Sequence, residues 1–439
     1  MVLVLLFITS FPPGWTQVET LKSGAPAPQI STEPRPANGN QKDPGYKLSP
    51  DQYARAIAYN QGTYWIYFVT VAYAGLILLA MIGWQVAPRV RDWAESKSRR
   101  MWMQFLLYAP ALLLSFYVLF LPIDVYAQWR ERKFGFSHQS WPSWFGDWTG
   151  TELATILSTT VVIGLIYFLM RRSPRRWWLL LWMIAVPLTM LIVFIQPVVI
   201  DPLFNSFEPL DRSHPELVDS IERIVARAGL DIPREHICLL KVGDKSTEEW
   251  ASSEGFGPTK RIFISDTILA SDPGTALLPI IGHEVGHFML LLDWIEFVIG
   301  VVVSLGLLYF IDRLLAWVVA RKGSKWKIRG PDDWASLPVL ALMVGVIVFA
   351  SSPLMNGLSR YREHEADRCG LELVHDIVPN AGEMTAEVFQ KDAETGLSDP
   401  NPPEFIKWWL LDHPPANDRI IFFRTYDPWS HGEKPKYVK

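Results

Sequence analysis

The sequence predicts a mostly α-helical protein that crosses the membrane several times and carries a small α/β insertion. Three observations predict it. Of 439 residues, 49% are hydrophobic and only 20% charged, with a mean hydropathy of +0.13. Six apolar segments reach the ~17–25 residues that a helix needs to cross a bilayer. Between the fourth and fifth lies a long polar stretch with short β-rich runs. The same composition excludes a disordered chain. A balance of 41 Lys+Arg against 45 Asp+Glu excludes nucleic acid as a partner. Two cysteines, Cys238 and Cys369, are too few for a disulfide framework or a thiolate metal cluster.

Residues 1–17 hold an apolar run at 2–10 that is too short to span. It reads as a signal-like core or a degenerate first span. Residues 18–50 form a tether with prolines at 26, 28, 34, 36, 44 and 50, which has no means of burying a core. The N-terminal membrane domain, 51–200, contains spans at 64–86, 105–123, 153–170 and 177–195. Residues 201–292 form the α/β region. In it, 213–216 (SHPE) has the pattern of a capping box, opening a helix that stops near Gly229. Strands are expected at 237–242 and 261–265, in a sheet of two or three strands, and a last helix follows from about residue 275 to 292. Two further spans, 295–317 and 337–358, fill residues 293–358. Residues 359–439 make a polar C-terminal section.

Basic residues give the topology. The loops at 87–104, 171–176 and 321–329 hold five, four and five Lys or Arg. With six spans they share one face, which the positive-inside rule makes cytoplasmic. The opposite short loop, 126–152, holds Arg130, Arg132 and Lys133. By this count both polar sections face away from the cytoplasm. Asp124, Glu296, Asp312 and Arg313 lie near span ends, where local pairing or snorkelling accounts for them. Trp141, Trp144 and Trp148 suit an interfacial belt.

The chemistry sits in 283–287, HEVGH. Histidines at i and i+4 project from one helical face about 6 Å apart, so His283 and His287 can reach one zinc ion. Glu284, between them, is placed to act as a base toward water on the metal rather than to bind it. A chance match is expected on the order of 0.01 times in a chain of this composition, so a metal site is favoured over an ordinary amphipathic helix. A catalytic zinc also needs a third protein ligand. A turn after 290 toward a ligand at 293 is ruled out by Leu290 in place of glycine, and Asp293 reads as a helix-end charge. The run 359–367 (SRYREHEAD) offers Glu363, His364 and Glu365, which compete on spacing alone. Asp367, one turn beyond Glu363, can hydrogen-bond a ligating histidine. The run 412–419 (DHPPANDR) offers His413 and Arg419 as a donor pair for an oxyanion, against the plainer reading of a proline turn. His138, His214, His236, His364, His375 and His431 have no ligand-like spacing and read as structural.

These three motifs, in this order, resemble the zinc-dependent (type I) CAAX prenyl proteases and their bacterial membrane relatives. The likeness extends through 132–136 (RKFGF), 202–210 (PLFNSFEPL) and 260–269 (KRIFISDTIL), covering most of the chain from about residue 49. It implies one zinc ion per chain, with Glu363 as third ligand, Asp367 behind the ligands, and His413 and Arg419 lining the site. It also implies a helical barrel of spans around a chamber, and a peptide or lipidated-peptide substrate that adds as a strand beside the small sheet. Two departures stand out. The family's Asn-Ala pair before the edge strand is Trp250-Ala251 here, which touches substrate binding. The eukaryotic enzymes have seven spans and a cytosolic zinc face, whereas here six spans and the basic loops point to the opposite face. The expected function is that of a membrane zinc endopeptidase, with Glu284 as base and then acid. A quality-control protease without a prenyl requirement and a non-catalytic zinc-stabilised lipid- or peptide-binding chamber are the alternatives.

Overall fold

The computed structural model describes residues 45–196, 199, 206–241, 251–255, 257–271 and 274–438. The apolar run at 2–10, the tether before residue 45, and Trp250 lie outside them. In chain order the long helices are α1 (Pro50–Gly83), α2 (Val86–Lys97), α3 (Met101–Phe134), α4 (Trp141–Arg172) and α5 (Trp177–Ile195). The polar region contributes β1 (Ser206–Pro209), α6 (Pro215–Arg227), β2 (Ile237–Lys241), β3 (Ala251–Glu254), β4 (Arg261–Ser265), α7 (Asp266–Ser271) and α8 (Leu278–Leu290). Then come α9 (Leu292–Trp326), α10 (Leu337–Val374), α11 (Ala381–Thr395), α12 (Glu404–Trp409) and α13 (Ala416–Thr425). Among the described residues six helices are long and apolar enough to cross a membrane, the six expected. Most outrun their apolar segments, because a helix already nucleated propagates through good helix formers beyond it. In α10 that extension carries the SRYREHEAD motif.

The chain forms two compact units. The membrane unit comprises Trp65–Met190 and Glu296–Ser351. Its core is aromatic, with Tyr108, Phe120 and Tyr167 fully buried. Tyr108 donates to the Trp334 carbonyl at 2.7 Å, and the Tyr167 hydroxyl lies 2.7 Å from Ser336 Oγ, so neither phenol is buried unpaired. The basic loops meet on one face, as expected. Buried Arg91 pairs with Asp333, Arg329 with Glu95 at 2.8 Å, and Arg171 Nε donates to the Asp332 carbonyl at 3.1 Å. The boundary charges pair locally too: Asp312 with Arg313 and the Trp177 indole, and Asp124 with Trp148 Nε1 at 3.0 Å. Trp148 therefore anchors a buried carboxylate as well as belonging to an aromatic cluster.

The second unit contains Leu191–Ile295 and Ser352–Lys439 with the chain up to Tyr64. Among the described residues its sheet has four strands, not two or three, in the order β1-β2-β4-β3. β1 pairs antiparallel with β2, β2 parallel with β4, and β3 antiparallel with β4. The two central strands are the ones expected from their branched residues. The two edges, SFEP and ASSE, carry proline or serines and lack that signal. α6 buries Leu217, Val218, Ile221, Ile224 and Val225, an i, i+4, i+7 stripe laid on the core. It begins differently from expectation. His214 is the N-cap and no side chain caps it, because Ser213 closes the preceding short turn instead. Its end is as expected. Gly229 (φ +66°) lets Leu230 N–H reach the Val225 carbonyl and its own N–H reach Ala226, the Schellman arrangement. The C-terminal tail binds α10. Buried Glu372 accepts the backbone N–H groups of Lys436, Tyr437 and Val438 at 2.7–2.9 Å.

Candidate metal and active site

α8 is buried around almost its whole circumference, His283 included, so its polar side chains need partners. Those partners come from the last turns of α10, and small residues bring the two helices close. A Cβ on Gly370 would lie 2.6 Å from His283 N, and one on Gly282 would lie 2.9 Å from the Gly370 carbonyl. A Cβ on Gly286, inside HEVGH, would lie 3.1 Å from the Ala366 carbonyl. With backbones in contact, Glu363 reaches both histidines.

His283 Nε2 and His287 Nε2 are 3.2 Å apart, and Glu363 Oε2 lies 3.3 and 3.5 Å from them. Three donors around one ion at zinc-like bond lengths stand about 3.3–3.4 Å apart at the corners of a tetrahedron. The donor set fits that ion. Glu363 Oε2 is buried and has no aligned hydrogen-bond donor, an orphan that a cation satisfies. Burial opposes a charge on His283, yet the neighbouring Asp367 and Glu363 carboxylates push its pKa up to about 10.

Geometry separates the three candidates on α10. Glu363 faces the histidines, whereas His364 turns to Arg368 at 3.2 Å and Glu365 to Lys436 at 2.6 Å. Asp367, fully buried, lies 2.9 Å from His283 Nδ1 through Oδ1, leaving Nε2 to face the centre. Arg419 meets the site through Asp367. Its guanidinium forks onto Asp367, Nε to Oδ2 at 2.8 Å and Nη2 to Oδ1 at 2.5 Å, and stacks over Phe389. Two such bonds fix its plane against Asp367.

His413 does reach the centre, with Nε2 3.3 Å from Glu363 Oε2. Asp412, which spacing did not single out, lies 3.0 Å from Nδ1. Burial disfavours the imidazolium, but the Asp412 hydrogen bond and the Glu363 charge raise the His413 pKa above the ordinary value. Glu284 points to β3. Its Oε2 accepts from Ser253 N–H at 3.0 Å and from Ser253 Oγ at 2.9 Å, a contact with no sequence signature. Ala251 opens β3 opposite Ile264. The helix ends where Leu291, not a glycine, takes the left-handed turn (φ 51°) into α9.

Fold and donor geometry together define a multi-pass membrane protein with a largely buried three-donor metal site. Residues 211–426 match the model of Peptidase family M48, and residues 43–206 match that of the CAAX prenyl protease N-terminal region, described as five membrane helices. Four candidate spans fall in that second interval here. The uncharacterized metalloprotease YhfN of Bacillus subtilis is 30% identical over 390 residues, covering 89% of each chain. A CAAX prenyl protease 1 homolog of Oryza sativa subsp. japonica is 24% identical over 419 residues, covering 91% of this chain and 92% of its own. The crystal structure of S. mikatae Ste24p superposes with a TM-score of 0.70 at 19% identity, over 88% of this chain and 91% of that one; it shares the fold. The chain belongs to peptidase family M48, in its multi-pass membrane branch resembling the CAAX prenyl proteases.

Proposed function

We propose that this protein is a zinc-dependent endopeptidase acting on peptides or lipidated peptides presented at the membrane. The observation that carries the reading is the convergence of His283, His287 and Glu363 on one point, with Glu284 next to His283 on the same helix. These three residues would hold one zinc ion per chain. A bound zinc ion lowers the pKa of water and polarises a carbonyl. Glu284 takes the proton from the attacking water and passes it to the leaving amine. His413, held by Asp412, donates from Nε2 to the negative charge developing on the carbonyl oxygen. Asp367, itself held by Arg419, keeps the His283 ring turned inward. β3 pairs only with β4 among the described residues, so apart from the Ser253 N–H, which Glu284 takes, its outer side offers backbone groups to an extended substrate. Ala251, and Trp250 before it, would flank that substrate.

The test is mass spectrometry of prenylated and matched unprenylated peptides digested by the purified chain, with and without chelator. Cleavage that the chelator abolishes, and a Glu363→Ala variant lacking stoichiometric zinc, are the expected results. Wild-type protein without a bound transition metal would overturn the reading. Cleavage of both peptides at equal rates would identify a protease with no prenyl requirement.

We also propose that the metal site faces away from the cytoplasm, on the support of the three basic loops that meet on one face. A cysteine placed at exposed Glu433 should then react with an impermeant maleimide added outside intact cells. Reaction only after lysis would reverse the orientation.

A further inference from the structure

The edge strand holds the base. Ser253 directs two donors, its N–H at 3.0 Å and its hydroxyl at 2.9 Å, at a single oxygen of Glu284, Oε2. We infer that Ser253 is a positioning residue for Glu284, fixing one carboxylate oxygen so that Oε1 is the one that exchanges protons. The inference rests on the metallopeptidase reading above.

Three observations lead to it. The run ASSE has little intrinsic preference for a strand, so serine at 253 is not explained by pairing with Ile262. A glutamate on a helix has three rotatable bonds, and freezing them before substrate arrives removes an ordering cost from the reaction. The hydroxyl has one proton to give. Its nearer acceptor is the carboxylate, ahead of the Glu284 backbone carbonyl at 3.2 Å. The N–H contact also shows which way β3 faces. Ser253 turns this donor away from β4 and toward α8, so the strand that would receive substrate and the base that would cut it are joined through one residue.

Ser253→Ala removes the hydroxyl and keeps the N–H. Measured on the zinc-loaded full chain with the peptide that the wild type cleaves, it should lower kcat by about 10–100-fold, a fraction of what a general base supplies. KM, zinc content and melting temperature should stay as in the wild type. Ser253→Thr, which restores the hydroxyl on a residue suited to a strand, should recover most of the rate. Adding Ser253→Ala to Glu284→Gln should cost nothing further, because the two act as a unit. A kcat close to the wild-type value in Ser253→Ala, or a loss confined to KM or accompanied by zinc loss, would overturn the inference. Hydrogen–deuterium exchange supplies a readout independent of turnover. The peptide covering 251–254 should exchange faster in Glu284→Ala, which removes the acceptor, and not in Glu284→Gln, which keeps one. Unchanged exchange in Glu284→Ala would show that the contact is absent. A wild type that cleaves neither peptide overturns the peptidase reading, while the exchange result still decides the contact.

Discussion

Glu284→Gln is expected to retain one metal ion per chain and to lose peptide turnover by about 10²–10⁴-fold, the worth of a well-placed general base. The side chain points toward Ser253 rather than into the cluster of three donors, so the amide changes no ligand. It keeps an oxygen for the Ser253 hydrogen bonds and has nearly the same shape. What it cannot do is accept a proton from water near neutral pH. Metal analysis and kcat on the same preparation separate the two quantities. Undiminished turnover would remove Glu284 from the mechanism, and loss of the ion would make it a ligand instead.

Gly370→Ala should remove the metal without replacing any ligand side chain. Its Cβ would sit 2.6 Å from His283 N and 2.8 Å from His283 Cα, backbone atoms that cannot rotate away. The two helices must part, and Glu363 moves with α10. Overpacking of this kind costs about 1–3 kcal/mol of stability. The donors stand 3.2–3.5 Å apart, so a shift of a few tenths of an ångström leaves the ion poorly held. Zinc content and melting temperature should both fall. Gly345 lies on the same helix with nothing within 4 Å of its ideal Cβ, so Gly345→Ala should keep both and gain helix propensity of up to about 1 kcal/mol. Equal metal content in the two variants would show that close helix contact does not set the site.

The parts of the molecule legible in the sequence are those whose cause is local. Apolar length found all six spans, branched residues found β2 and β4, and the i, i+4 histidines found the face of α8. Parts that depend on distant neighbours were not legible. β3 is written ASSE and forms because β4 offers a partner on one side. Ser213 looked like a cap, but the turn at Leu210–Arg212 took it first. Spacing left Glu363, His364 and Glu365 equivalent; the family resemblance pointed to Glu363, and packing of α10 on α8 turns that side chain toward the histidines. Arg419 was seen as a donor near the site, yet the buried Asp367 it neutralises lies 52 residues earlier in the chain. Asp412 and Ser253 matter through what they touch, and nothing in their spacing announces that.

The histidines and Glu363 are separated along the chain by α9 and the apolar part of α10. A nascent polypeptide that has already displayed HEVGH still lacks its third donor. That donor arrives only when the final hydrophobic segment has been threaded into the bilayer and its polar end has emerged. With Glu363 as the proposed third ligand, hydrolytic competence would be a late event in biogenesis, and a half-inserted copy would lack the means to cut itself or its neighbours.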